Sequence, residues 1–176
     1  NKSLNEDLSI LNKKSIVLPL GEVKITKKVS SILIIFRTNT DVEIWDQNKK
    51  RLFEQPKIEY SLKALNSLIK SINFSKNKYP TLKFKTIIVD DKSKKENLNK
   101  IKRLVENSNL DISITNLNHE KYTNTIKHQK NPQTFSNLAS LLQSFELGRN
   151  QGEDLIFFVE DDYLHFEPMM EEMIAS

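Results

Sequence analysis

Four short strand-like segments alternate with longer stretches whose apolar residues recur at helical spacing. The segments are Ser31-Ile-Leu-Ile-Ile-Phe36, Phe84-Lys-Thr-Ile-Ile-Val89, Asp111 to Thr115, and Leu155-Ile-Phe-Phe-Val159. The first is a continuous apolar run, as expected of a strand buried on both faces, and the other three read as further strands. Between them, Ile58, Leu62, Leu65, Leu68, Ile69 and Ile72 share one helix face, as do Leu98, Ile101, Leu104 and Val105. Asn131-Pro132 predicts a third helix start. Phe135, Leu138, Leu141, Leu142 and Phe145 form its apolar stripe, and Gly148 is its expected stop. Pro168 to Ile174 predicts the opening turns of a last helix. Residues 1–30 read as a lead-in, with Ser3 and Glu6 spaced as a capping box and Ile16-Val17-Leu18 as a short strand. Residues 37–57 read as a polar loop containing Trp45, expected to be a packing anchor.

Strand–helix alternation predicts an α/β fold with a mostly parallel, Rossmann-like sheet and helices on both faces. Ligands of such sheets bind beyond the carboxyl ends of the strands, where strand order reverses. The groups following the four strands should therefore share one rim: Arg37-Thr38-Asn39, Asp90-Asp91, Asn116 with Asn118, and Glu160-Asp161-Asp162. The fourth strand is expected beside the first, which creates the reversal.

Composition narrows the classes. The chain has 176 residues, 28% charged and 38% hydrophobic, which suits one globular domain. It has no cysteine, so disulfides, thiolate catalysis and cysteine-ligated metal are excluded. That usage fits a reducing compartment, and the expected location is cytoplasmic or peripheral to a membrane, with no transmembrane segment. Three glycines leave no glycine-rich phosphate loop. The net charge of +4 hides an asymmetry: residues 1–130 carry 26 basic and 14 acidic residues, residues 131–176 one arginine and nine acids. The 23 lysines are spread along the chain rather than gathered in a stripe, so no nucleic-acid partner is expected.

The acidic end is the more informative. Three carboxylates at 160–162 repel one another and are easiest to hold around a cation or facing water. Carboxylates with water suit Mg²⁺ or Mn²⁺, which take few protein ligands and complete their shell with substrate phosphates. The plain alternative is a solvated helix start. Asp90 and Asp91 suit an imide N–H or a ribose hydroxyl, or else merely lead a helix capped by Ser93, which is spaced as a capping box with Glu96. Arg37 suits a phosphate or a structural acid. His165 lies close enough in sequence to join a metal or phosphate site, whereas His119 and His128 have no ligand-like spacing and read as loop residues.

Val89-Asp90-Asp91-Lys92-Ser93 resembles the Val-Asp-Asp-Gly-Ser stretch after the second strand of family 2 glycosyltransferases. Glu153 to Asp162 resembles their acidic DxD segment, and the order of elements over residues 30–176 matches. The resemblance implies a GT-A fold and a nucleotide-diphosphate-sugar donor, with a UDP-sugar favoured, and a glycan, lipid or protein acceptor. It implies that Asp90 or Asp91 binds the base and that Arg37 and Thr38 touch the nucleotide. Glu160 would reach the ribose or the metal, Asp162 would ligate Mn²⁺ or Mg²⁺, and Asp161 is grouped with the nucleotide-sugar-binding residues. Three positions depart from the family pattern: Glu160 at the first DxD position, Lys92 in place of glycine, and a longer loop at 37–57. In that family the acceptor site and catalytic base follow the acidic segment. This sequence extends fourteen residues past Asp162, so the expectation for 31–176 is the nucleotide-sugar-binding part of a longer enzyme.

Three other functions compete. A nucleotidyltransferase on a similar sheet needs a glycine-rich basic loop after the first strand, which residues 36–40 lack. A signalling receiver needs an aspartate ending a later strand, whereas Asp111 begins one. A non-catalytic interaction domain would carry the acidic end only as solvation.

Overall fold

The computed structural model describes residues 29–42 and 55–175. The lead-in features and Trp45 lie outside them. Within them the chain runs β1 (Ser31–Thr38), α1 (Lys57–Lys78), β2 (Lys83–Asp90), α2 (Lys95–Glu106), β3 (Asp111–Asn116), α3 (His119–Tyr122), α4 (Pro132–Gln151), β4 (Leu155–Glu160) and α5 (Met169–Ala175). The sheet is wholly parallel with order β3-β2-β1-β4, so the chain reverses direction of travel between β1 and β4. Each strand outlasts its apolar run by one or two residues. Arg37, Thr38, Asp90, Asn116 and Glu160 are thus the last rungs of the sheet rather than loop residues.

Alternation along β1 divides the core. Ile32, Ile34 and Phe36 pack on one side with Leu65, Leu68, Ile72, Ile101 and Met170 from α1, α2 and α5. Leu33 and Ile35 pack on the other with Ile87, Val89, Tyr122 and Ala139, beneath α3 and α4. Helices therefore cover both faces, which satisfies a sheet whose central strands are apolar on both sides.

After β4 the chain is fastened along α1 by hydroxyls. The His165 N–H donates to Ser67 Oγ at 3.0 Å and the Met170 N–H to Ser71 Oγ at 3.0 Å. Short polar side chains on a buried helix face supply acceptors that the passing backbone needs. None of the described helices is long and apolar enough to cross a membrane.

Helix α4 differs from its expected form. Asn131 caps it, Oδ1 accepting from the Gln133 and Thr134 amides, and Pro132 opens it. Its fully buried positions, however, are Ala139, Ser140, Gln143, Ser144 and Gly148; of the expected stripe Phe135 and Leu142 pack partly buried against the core, while Leu138 and Phe145 are exposed. The reason is close approach. A Cβ on Gly148 would sit 3.1 Å from Phe158 Cζ and 3.3 Å from Ile156 Cδ1. Gly148 therefore does not stop the helix. It lets α4 lie against β4, and the helix runs on to Gln151 before Gly152. There a Cβ would fall 2.6 Å from Ile156 Cγ1.

This face generates a prediction. Ser144→Leu, which overfills a fully buried position, is expected to cost about 1–3 kcal/mol of stability. Leu138→Ala is expected to cost less than about 1 kcal/mol. Urea unfolding of both variants checks this; the opposite ranking would restore the aromatic–leucine stripe as the packed face.

Candidate functional site

The ends of β1, β2 and β4 open onto a cavity of about 680 Å³ between α1 and α4. Its charged lining comprises Arg37, Lys57, Asp41, Asp91, Glu160, Asp161 and Asp162, with Thr38, Asn39, Asn137 and Ser140 among its polar groups. Strand alternation sorts the first of these. Arg37 falls on the α4 side and reaches Asn137, while Thr38 falls on the α1 side and reaches Asp161.

The three consecutive acids occupy three different environments. Asp161 is buried, and its Oδ2 accepts from Thr38 Oγ1 at 2.8 Å, from Ser61 Oγ at 2.7 Å and, at 3.4 Å, from the Asn39 N–H. Its Oδ1 pairs with Lys57 Nζ at 2.7 Å. Glu160 is the register partner of Arg37 and pairs with its Nη2. Asp162 is exposed, and no side chain among the described residues pairs with it. Burial lowers the Arg37 pKa, and the Asp161 and Asp162 carboxylates push it back up.

The two acids after β2 also separate. Asp91 lines the cavity; its Oδ2 accepts from Asn39 Nδ2 at 3.0 Å and its Oδ1 lies 2.6 Å from His119 Nε2. Asp90 is not part of that lining. Its Oδ2 accepts from the Ser93 N–H at 3.1 Å, while its Oδ1 is buried without a hydrogen-bond partner. Burial pushes the Asp90 pKa up, against the lowering effect of the Ser93 hydrogen bonds.

Several expectations are corrected here. Ser93 does not cap α2: the cap position is Lys94, with no side-chain cap bond. The Ser93 hydroxyl instead accepts from the Thr40 N–H at 3.1 Å, tying the turn after β2 to the turn after β1. The turn itself holds Lys92 at a φ of 57°, the left-handed conformation that glycine adopts without cost. His119 is no loop bystander: it begins α3, bonds Asp91 and stacks on Phe135 at 6.1 Å. His128 sits exposed in a turn.

His165 lies away from the main cavity, in an adjoining apolar groove lined by Phe145, Phe158, Leu164 and Met173. Its ring meets Phe157 edge-on at 6.4 Å, its Nε2 is unbonded, and burial lowers its pKa.

Three contributors had no assigned role in the sequence reading. Lys57 brings a second cation. Asn39 bridges the acids of β2 and β4, through its side chain to Asp91 and its amide to Asp161. Gln143 fastens the end of β3 to α4, its Nε2 donating to the Asn116 carbonyl and its Oε1 accepting from the Asn118 N–H. Only the asparagine's position directly after an apolar strand pointed to the rim.

No family model matches the chain, and no curated protein matches it. Among solved structures, S. aureus TarS 1-349 is similar at 18% identity with a TM-score of 0.44. The match covers 82% of this chain and 31% of that one, so the chain spans under a third of the TarS structure.

Two predictions follow from the separated acids. Asp161→Ala strands Lys57 and two hydroxyls and is expected to cost about 2–4 kcal/mol, against less than about 0.5 kcal/mol for Asp162→Ala. Equal losses in urea unfolding would contradict the division of roles.

The second concerns Asp90. Its folded pKa is raised, so its protonation stabilises the fold fully below the unfolded value of about 3.8, and that contribution is lost as pH rises through the folded pKa. Asp90→Asn lacks this dependence. Its unfolding free energy relative to wild type should climb as pH rises above 3.8. A flat difference across the pH series would remove the burial argument.

Proposed function

We propose that this chain carries the donor site of a glycosyltransferase of the GT-A type, binding a nucleotide-diphosphate sugar, with a UDP-sugar favoured, together with Mn²⁺ or Mg²⁺. The observation that carries the reading is the charge of the cavity at the β1/β4 reversal. Five carboxylates and two cations line it. A diphosphate entering such a cavity alone meets net repulsion, and a divalent cation entering with it removes that repulsion.

The donor chemistry fits such a cation only in part. Asp161 is committed to four donors and Glu160 to Arg37, leaving Asp162 as the exposed carboxylate. Among the described residues no group of three side chains stands ready to hold a metal. That suits Mg²⁺ or Mn²⁺, which bind through one or two carboxylates and finish their shell with phosphate oxygens and water. Asp162 would hold the ion, with Glu160 beside it or on the ribose. When bound, the cation would act as a Lewis acid on the departing diphosphate.

The remaining roles belong to the chain. Asp91 offers acceptor oxygens to the base or ribose, its orientation fixed by Asn39 and His119. This prefers Asp91 over Asp90, whose carboxylate lies outside the cavity lining. Arg37 and Lys57 supply positive charge near the diphosphate, and Thr38 shapes the floor through Asp161. The sugar acceptor and the catalytic base are not assigned to residues of this chain.

The test is calorimetric titration with uridine diphosphate, with and without Mn²⁺. Wild type is expected to bind about fivefold or more tighter with the metal than without it, and Asp162→Asn to lose the metal-dependent part while keeping the fold. Asp91→Asn, which replaces an acceptor with a donor, should weaken binding by about 1–3 kcal/mol. Binding that ignores Mn²⁺ in wild type would sink the reading.

A further inference from the structure

The two cations of the cavity are held in unequal ways. Lys57 and Asp161 are both largely buried, and the same carboxylate also anchors Thr38 and Ser61. Asp161 therefore cannot swing away from Lys57 without also releasing Thr38 and Ser61. Arg37 and Glu160 differ. The arginine side chain is 11% exposed and its Nη1 is fixed by Asn137 Oδ1 at 3.1 Å, whereas the glutamate is 46% exposed and its one side-chain partner among the described residues is Arg37. The guanidinium is therefore fixed and its counter-ion is free to swing into solvent.

We propose that Glu160 is a displaceable counter-ion: an entering diphosphate takes its place on Arg37, and the released carboxylate turns to join Asp162 on the divalent cation. This rests on the nucleotide-diphosphate reading above. Guanidinium binds phosphate oxygens in the same planar fork with which it binds carboxylate, so the exchange keeps the arginine satisfied throughout.

The exchange couples the two ligands. With no diphosphate, Glu160 is occupied and a cation finds Asp162 alone. With no cation, a diphosphate must expel Glu160 into a cavity already rich in carboxylates. Each ligand relieves the cost borne by the other, and that coupling is reciprocal.

The experiment titrates the full chain at low ionic strength with inorganic pyrophosphate alone, Mn²⁺ alone, and each in the presence of the other. Wild type, Glu160→Gln, Arg37→Gln and Asp162→Asn are compared, with circular dichroism checking the fold of each. Wild type should show Mn²⁺ tightening pyrophosphate binding by about fivefold or more. Glu160→Gln should bind metal-free pyrophosphate severalfold tighter than wild type and lose most of the coupling. Arg37→Gln should bind Mn²⁺ alone tighter than wild type, because Glu160 is released.

Asp162→Asn removes the same charge from the same cavity without touching Arg37. A gain in metal-free pyrophosphate affinity equal to that of Glu160→Gln would show a general field effect and overturn the exchange. So would no gain in Glu160→Gln while wild type keeps its Mn²⁺-dependent binding, an outcome that leaves the donor-site reading standing. A wild type that binds no pyrophosphate even with Mn²⁺ overturns both. If Arg37→Gln does not fold, the comparison of the two acid variants decides alone.

Discussion

A single buried carboxylate holds the upper end of this sheet together. Asp161 leaves β4 and is met by Thr38 from the end of β1 and by Lys57 and Ser61 from the first turns of α1. A charge taken out of water is tolerable only when it is paired and its lone pairs are filled, and here both conditions are met. The geometry of everything nearby follows. Because Asp161 is spent on the scaffold, its neighbours are forced outward to either side, Glu160 against Arg37 and Asp162 into solvent. The run of three acids is thus one anchor and two available groups.

The strands and their order were legible because a buried parallel strand is apolar on both faces, a condition β1 meets outright, while β3 at the sheet edge showed only alternating isoleucines. The long helix α1 was equally plain, its apolar face falling on Ile58, Leu65, Leu68 and Ile72. Helix α4 was not. Hydrophobic periodicity reports where large side chains recur, yet a helix that lies close to a sheet packs with its small residues. Ala139, Ser144 and Gly148 carry no apolar signal comparable to Phe145. The general rule that glycine ends helices was outweighed by the space that Ile156 and Phe158 occupy.

The site was legible by position but not by partnership. Placing each polar group after its strand brought Arg37, Thr38, Asp91, Glu160, Asp161 and Asp162 to one cavity. What spacing cannot express is which acid meets which donor. His119 joins Asp91 across 28 residues, Asn39 reaches it across 52, and Ser61 meets Asp161 across 100. Ser93 illustrates the same limit in reverse: its capping-box spacing with Glu96 is real, but Lys94 takes the cap position and the Ser93 hydroxyl accepts from the Thr40 amide instead. A local motif yields whenever a tertiary donor offers the same oxygen a better geometry.

The tight seating of α4 has a consequence for what the molecule can accommodate. Asn137 and Ser140 of that helix form one wall of the cavity, and β1 and β4 form its floor. The same helix is pressed to the sheet one and two turns later by side chains little larger than a methyl group. Aperture and packing are therefore one quantity. A bulkier residue at Ser144 or Gly148 would act as a wedge, levering the wall outward at a point no ligand touches. The width of the cavity is thus set in part by a spacer buried behind it.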